Sequence, residues 1–224
     1  MDLPKGDGKT RPLGIPTVKD RVVQTAVKFA IEPIFEAMFL PSSYGFRPGR
    51  GCKDALREVD RLIHDGYTHV VDADLRSYFD SIPRDRLMER VATRVSDGRV
   101  LALLQGWLGQ DVLHGMERWT PAGGTPQRAV ISPLLANLYL HPLDERLAGK
   151  GYRMVRYADD FVVLCRSRED AEAALADIRE WVEVNALRCI WTRRIWATVA
   201  NAVKASTSSD ITSRWGYERS ERRV

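Results

Sequence analysis

Three aspartates are placed where they can do chemistry together. In "MVRYADDFVVLC", residues 154–165, Asp159 and Asp160 stand side by side between two apolar runs. In "VVDADLRSYFDSI", Asp72 and Asp74 lie two residues apart on a strand-like segment, so they share one face, with Asp74 nearer its C-terminal end. Neighbouring carboxylates repel, and apolar surroundings make their joint ionisation costlier still. A hard cation resolves the conflict. Mg²⁺ takes one or two carboxylates and completes its shell with water and substrate phosphates. A strand ending in Asp74 beside a hairpin ending in Asp159 and Asp160 suits two Mg²⁺ ions about 3.5–4 Å apart, an arrangement that activates an attacking oxygen and stabilises a leaving oxygen in phosphoryl transfer. An isolated Asp-Asp reads more simply as a solvated acidic turn; the second carboxylate strand is what shifts the reading toward chemistry. Asp72 reads as structural or exposed and Asp80 as the cap of a following turn, so neither is assigned to catalysis.

The elements that position these groups follow from periodicity. "YTHVVDADL" alternates with β-branched residues and predicts a strand. "YRMVRY" and "FVVLCR" predict two strands joined by "ADD", a hairpin whose tip is well placed to present catalytic groups. Residues 1–19 read as loop plus a short strand. From Asp20, a plausible N-cap, Val22, Val23, Ala26, Val27, Ala30, Ile31, Ile34 and Phe35 recur at helical spacing, with Pro33 expected to kink or divide the helix. "PSSYGFRPGRG" is a loop, and "CKDALREVDRLIHDG" is a helix with Gly66 at its C-terminal cap. Short helices are expected around 84–95 and 97–108. "SPLLANLYLHPLDERLAG" is a helix starting at Ser132 and Pro133. "SREDAEAALADIREWVEV" is an amphipathic helix capped by Ser167, with Ala171, Ala174, Leu175, Ile178 and Trp181 on one face. Helices and strands in this order predict an α+β fold with helices packed on an antiparallel sheet.

Composition narrows the function classes. The chain has 224 residues, 44% hydrophobic and 29% charged, enough for a substantial core. No apolar run reaches the roughly 18 residues of a membrane span, and "MDLPKGDGKT" is not a signal peptide. Three scattered cysteines supply neither a disulfide framework nor zinc-ligand spacing and point to a reducing compartment. The expectation is a cytoplasmic protein without a membrane partner. The net charge of +4 hints at a polyanion and is equally that of a generic basic protein.

One ordered set of motifs goes further: "GKTRPLGIPTVKDRVVQ", "SYGFRPGR", "DADLRSYFDSI", "GTPQ" with "ISPLLANLYL", and "RYADDFVVLC". Together they resemble the bacterial group II intron reverse transcriptase/maturase family, over residues 1 to about 187. The resemblance implies a right-hand polymerase fold with fingers (about 1–70 and 84–110) and palm (about 71–83 and 120–187), the antiparallel palm sheet backed by helices. It implies RNA-directed DNA synthesis by two-metal nucleotidyl transfer with two Mg²⁺ ions. The partners implied are an RNA template, a DNA or RNA primer, deoxynucleoside triphosphates and group II intron RNA. Asp74, Asp159 and Asp160 match the family's metal-binding, catalytic aspartates. Phe79 matches the aromatic that excludes the ribose 2′-hydroxyl; a core phenylalanine is the other reading. Lys9 and Arg11 fall where the family contacts the incoming triphosphate. Gln127 falls where it touches nucleotide and template. Tyr44, Phe46, Arg47 and Arg50 alternate aromatic and cationic groups as a template-stacking surface does, or as a loop anchored by buried rings does.

Two departures qualify the match. After Gln127 the family has Gly-Gly, where bare backbone lies close to nucleic acid; here Arg128 and Ala129 follow. From residue 188 the chain reads "RCIWTRRIWATVANAVKASTSSDITSRW" in place of the family's "LH…KT…G…FDFLGY" pattern. One permitted set of codons for this tail, read two bases downstream, spells "ALHLDKTHLGDCRQRGQGFDFLGYHFEV". The tail over 188–224 is therefore expected to be frameshifted and to pack poorly; a basic RNA-binding extension is the competing reading. With thumb and maturase regions also missing from the pattern, a shortened polymerase of impaired activity is expected. The alternatives are an RNA-binding maturase remnant that assists splicing without polymerising, and an inactive gene product.

Overall fold

A computed structural model describes residues 2–4, 10–12, 16–75, 77–110, 112–114, 117–119, 123–125, 129–187, 189–191 and 196–197, with 2–4, 10–12, 112–114, 117–119, 189–191 and 196–197 described by their backbone alone. In chain order the elements are β1 (Asp2–Pro4), β2 (Thr10–Pro12), α1 (Val18–Glu36), α2 (Cys52–His64), β3 (His69–Leu75), α3 (Tyr78–Ser81), α4 (Arg84–Ala92), α5 (Gly98–Leu108), β4 (Val112–His114), β5 (Glu117–Trp119), α6 (Ser132–Gly149), β6 (Arg153–Tyr157), β7 (Asp160–Cys165), α7 (Arg168–Val184), β8 (Cys189–Trp191) and β9 (Trp196–Ala197). The chain divides into two compact units. The first draws on segments 1–39, 76–142 and 186–188, the second on 40–75, 143–185 and 189–224. Among the described residues no helix is long and apolar enough to cross a membrane.

The second unit is built on an antiparallel sheet in the order β6-β7-β3-β8, with β9 also pairing β3. The alternation of side chains sorts it into two faces. Val70 of β3, Val162 and Leu164 of β7 and Val155 of β6 share one face, and α2 packs there through Ala55 and Leu62, with Leu56, Val59 and Ile63 at the margin. The opposite face presents Val71, Ala73, Leu75, Met154, Arg156, Phe161, Val163 and Cys165, all buried. Both faces of β7 are thus covered along most of its length, which is why it reads as a continuous apolar run. Each large aliphatic or aromatic side chain so buried contributes about 1.5–3 kcal/mol. On α7, which packs against β3 and β7, the buried residues are Ala171, Ala174, Ile178, Trp181 and Val182, and the Ser167 side chain accepts from Asp170 N as its N-cap. The helix α2 belongs to the same compact unit as β3, β6 and β7.

Burial shapes the chemistry of Cys165, whose thiol is pushed up to about 11, with Asp170 adding to the effect. A raised thiol pKa favours the folded state below the ordinary value near 9 and loses that effect as pH rises through about 11. In the native protein Cys165 is expected to resist iodoacetamide at pH 8 and to react once the chain is denatured. Mass spectrometry of the peptide checks this, and rapid native labelling is the contrary result.

The first unit holds α1, α3, α4, α5, the part of α6 up to Pro142, and two small hairpins, β1–β2 and β4–β5. The Tyr78 hydroxyl donates to the Ala136 carbonyl at 2.6 Å, and the Arg90 guanidinium lies 4.0 Å from the centre of the Tyr139 ring. Buried Gln24 on α1 accepts from Val130 N at 3.0 Å.

Several local expectations are corrected. The N-cap of α1 is Thr17, whose hydroxyl accepts from Asp20 N, while the Asp20 carboxylate accepts from the Thr17 hydroxyl. Pro33 sits inside α1 without dividing it; only one turn follows, so the lost N–H falls near the fraying end. Of the apolar positions on α1, only Ile31 and Phe35 are buried, whereas Val18, Val22 and Phe29 are well exposed. The helix α3 and the β4–β5 hairpin have no counterpart in the sequence reading, because three- and four-residue elements carry hardly more than one period, too little for a pattern to recur. After α7 the short strands β8 and β9 pair β3. The open edge of β3 offers unpaired backbone groups to any extended segment that follows α7.

Candidate active site

All three aspartates fall within the second unit. Strand β3 delivers Asp74 one residue before its end, and the β3–β7 register sets Asp74 directly opposite Asp160. Cross-strand partners share a face with Cβ atoms roughly 4.5–5.5 Å apart. Asp159 precedes Asp160 in the turn that joins β6 to β7. All three are half-buried, at the end of the sheet where Tyr157 pairs Asp160. On its other side Asp74 pairs Ile190 of β8. Asp72 occupies the same face one row back, opposite Val162.

Like charges directly opposite each other in a sheet are destabilising, and a cation bound between the two carboxylates would offset that cost. Among the described residues no group of three or more His, Cys, Asp or Glu side chains converges as a ready-made metal cage. Magnesium does not need one, since one or two carboxylates with substrate phosphates and water complete its shell. The Asp74–Asp160 pair with Asp159 beside it fits that demand: hard oxygen donors, half-exposed, on a rigid sheet.

The turn itself is strained and braced. Ala158 has φ of +61°, a left-handed conformation that costs a residue with a Cβ about 1–2 kcal/mol. Behind it Arg156 is wholly buried with Asp144 of α6. Its Nε donates to Asp144 Oδ1 at 2.8 Å and its Nη2 to Oδ2 at 2.6 Å, while Nη1 donates to the Ala158 carbonyl at 2.8 Å. Sequence reasoning missed both residues. The available signal was a charged residue inside each of two apolar segments, "MVRY" and "LYLHPLDERL".

The remaining candidates are scattered. Phe79 lies on α3 in the first unit, half-buried, its ring edge-on to Tyr78 at 5.7 Å, and its carbonyl accepts from Thr125 N at 2.7 Å. Arg11 is on β2 opposite Leu3. Lys9, Gln127 and Arg128 lie outside the described residues. In the loop 40–51, Arg47 is buried and its Nη1 donates to the carbonyls of Leu40 at 2.6 Å and Ser43 at 2.8 Å. Tyr44 packs against the α2 core cluster. Arg50 stacks 5.4 Å from the Tyr44 ring centre and donates to the Pro41 carbonyl at 2.7 Å. Phe46 is 48% exposed, which leaves it the most open ring of the loop.

Comparison with known structures places this architecture among right-hand polymerases. Apo telomerase from Candida tropicalis superposes with a TM-score of 0.57 over 74% of this chain and 35% of that one, at 10% identity, a likeness of fold alone. The α+β arrangement is thus the fingers-and-palm part of that fold. The sequence profile described as reverse transcriptase (RNA-dependent DNA polymerase) matches residues 3–192, and the chain belongs to that family. It is 44% identical to Protein YkfC of Escherichia coli K12 over 152 residues, 65% of this chain and 39% of that protein. It is 38% identical to the Group II intron-encoded protein LtrA of Lactococcus lactis subsp. cremoris over 141 residues, 63% of this chain and 23% of that protein. The chain thus spans well under half the length of both.

Proposed function

We propose that this chain carries the active-site core of an RNA-directed DNA polymerase of the group II intron type. The observation that carries the reading is the register that sets Asp74 opposite Asp160 with Asp159 in the adjoining turn. In the reaction, a primer 3′-oxygen forms a bond to the α-phosphorus of a deoxynucleoside triphosphate as the bond to the bridging oxygen breaks and pyrophosphate leaves. Asp74, Asp159 and Asp160 would hold two Mg²⁺ ions, whose chemistry when bound is to activate the attacking hydroxyl and offset charge on the leaving group. Lys9 and Arg11 bind the triphosphate, Phe79 sets its ring against the sugar to reject a 2′-hydroxyl, and Gln127 orients nucleotide and template. The loop bearing Tyr44, Phe46, Arg47 and Arg50 faces the template; within it Arg47 and Arg50 hold the loop's own carbonyls, so the exposed ring of Phe46 leads the contact. Group II intron RNA is the natural template class for such a chain. Extension of a DNA primer on an RNA template, dependent on Mg²⁺ and on Asp159, is the test. Intron RNA binding without Asp159-dependent extension would instead mark a splicing-assistant protein.

The tail over 188–224 is, in this reading, a shifted frame. Its first residues coincide with the end of the family match at residue 192. Sequencing the coding DNA is expected to show "LHLDKT" and "FDFLGY" two bases downstream of the present frame; stop codons or an unrelated peptide there refute the shift.

A further inference from the structure

We propose that the buried Asp144–Arg156 pair, together with Gly45, is a positioning device for the turn that carries Asp159, an inference that rests on the polymerase reading of the three aspartates. Ala158 holds a left-handed φ of +61°, which a residue with a Cβ keeps only when its surroundings impose it. The guanidinium of Arg156 supplies contacts of two kinds, one to a carboxylate and one to the backbone of the turn. Two nitrogens of Arg156 fork onto Asp144 at 2.8 and 2.6 Å, and the third donates to the Ala158 carbonyl at 2.8 Å. Both side chains are fully buried, with no exposed surface, so the guanidinium has no solvent into which to swing. Asp144 stands on α6, and the fork therefore ties the position of the turn to that helix.

The other contact comes from the loop before α2. Residues Ser42 to Tyr44 run beside β6: Arg156 N donates to the Ser42 carbonyl at 2.9 Å and Tyr44 N to the Arg156 carbonyl at 2.8 Å. This brings the next residue, Gly45, against the turn. A Cβ at Gly45 would lie 2.2 Å from Ala158 N and 2.9 Å from the Tyr157 carbonyl carbon. The loop fills the space into which the strained turn would otherwise relax. A pair that only neutralised itself would need the fork alone; the third donor, directed at the turn, is what makes Arg156 a positioning residue. Lysine could not replace it, because a point charge lacks the rigid fork that serves two acceptors at once.

The test uses the full chain with two variants. In Asp144→Leu/Arg156→Met, apolar side chains of similar volume replace the pair, an exchange that usually preserves folding but removes the grip on Ala158. In Gly45→Ala the pair is intact and the turn is pushed. Three measurements are made: hydrogen–deuterium exchange of the peptide spanning 157–162, Mn²⁺ binding by electron paramagnetic resonance, and single-nucleotide incorporation on primed RNA. In the double variant, at a melting temperature close to the parent's, the turn amides are expected to exchange about tenfold faster. Mn²⁺ affinity is expected to fall about 10–100-fold in both variants, as for other groups that orient metal ligands. In both, kcat falls while KM for the nucleotide is kept. Parent-like exchange and Mn²⁺ affinity in the double variant overturn the proposal. Where that variant does not fold, parent-like Mn²⁺ affinity in Gly45→Ala overturns it. A parent that shows a protected turn but neither binds Mn²⁺ nor incorporates nucleotide defeats the polymerase reading instead, and the exchange arm still decides whether the pair and Gly45 hold the turn.

Discussion

Asp159→Asn is expected to lower primer extension by about a thousandfold or more while leaving the fold intact. Both halves of that result follow from position. The carboxylate stands in the turn joining β6 and β7, beside the Asp74–Asp160 cross-strand pair. In the proposed reaction its negative charge helps hold the cations that offset charge at the transferring phosphate, a contribution of several kcal/mol, and each 1.36 kcal/mol is about tenfold in rate. The amide keeps the shape and loses the charge. Asp159 is half-buried in a turn, and removing one of several clustered negative charges relieves repulsion. The melting temperature is therefore expected to stay level or rise slightly. Equal extension by mutant and parent would falsify the assignment. A parallel fall in stability and activity would make Asp159 a structural residue.

The largest stability effect is expected at Asp144, through the charge it leaves behind. Asp144→Ala strands the Arg156 guanidinium, which has no exposed surface, with its charge uncompensated. Breaking a buried pair from one side costs about 3–5 kcal/mol, a large share of the roughly 5–15 kcal/mol that keeps a domain folded. At about 2–4 °C per kcal/mol for a chain of this size, the melting temperature should drop by about 6–20 °C. The contrast lies two residues away at Arg146, which pairs with Asp177 and Glu180 where the Glu180 side chain is 64% exposed. Solvent screens that network, and Arg146→Ala should cost no more than about 1 kcal/mol. Thermal melts of the two variants side by side decide the point; equal small shifts would mean that Arg156 finds other compensation.

Much of the second unit was legible in the chain. The strands β3, β6 and β7 and the helices α2 and α7 emerge from runs of alternating or 3.6-spaced apolar residues, with Ser167 and Gly66 marking ends by their own backbone chemistry. The three aspartates stand out because charge inside apolar strands needs a reason. The first unit was harder to read. Its helix α1 is apolar around much of its circumference, so periodicity could not say that Ile31 and Phe35 would be buried while Val22 and Phe29 stayed exposed. Gln24, one polar residue in that helix, owes its burial to a backbone N–H more than a hundred positions later. The loop 40–51 also carries two kinds of residue that composition does not separate: Arg47, buried on its own loop's carbonyls, and Phe46, open to solvent.

Local order in the chain by itself determined the longer helices and strands and the α+β class, and it singled out the three carboxylates as candidates, because helix and strand periods and turn residues are encoded within a few neighbouring positions. Tertiary structure alone decided that Asp74 faces Asp160, that Arg156 reaches from Asp144 to the carbonyl of Ala158, and that Gly45 lies against that same turn. Each of these joins segments far apart in sequence. Strand register and burial depend on which distant surfaces fill one another's space, and no local period records that.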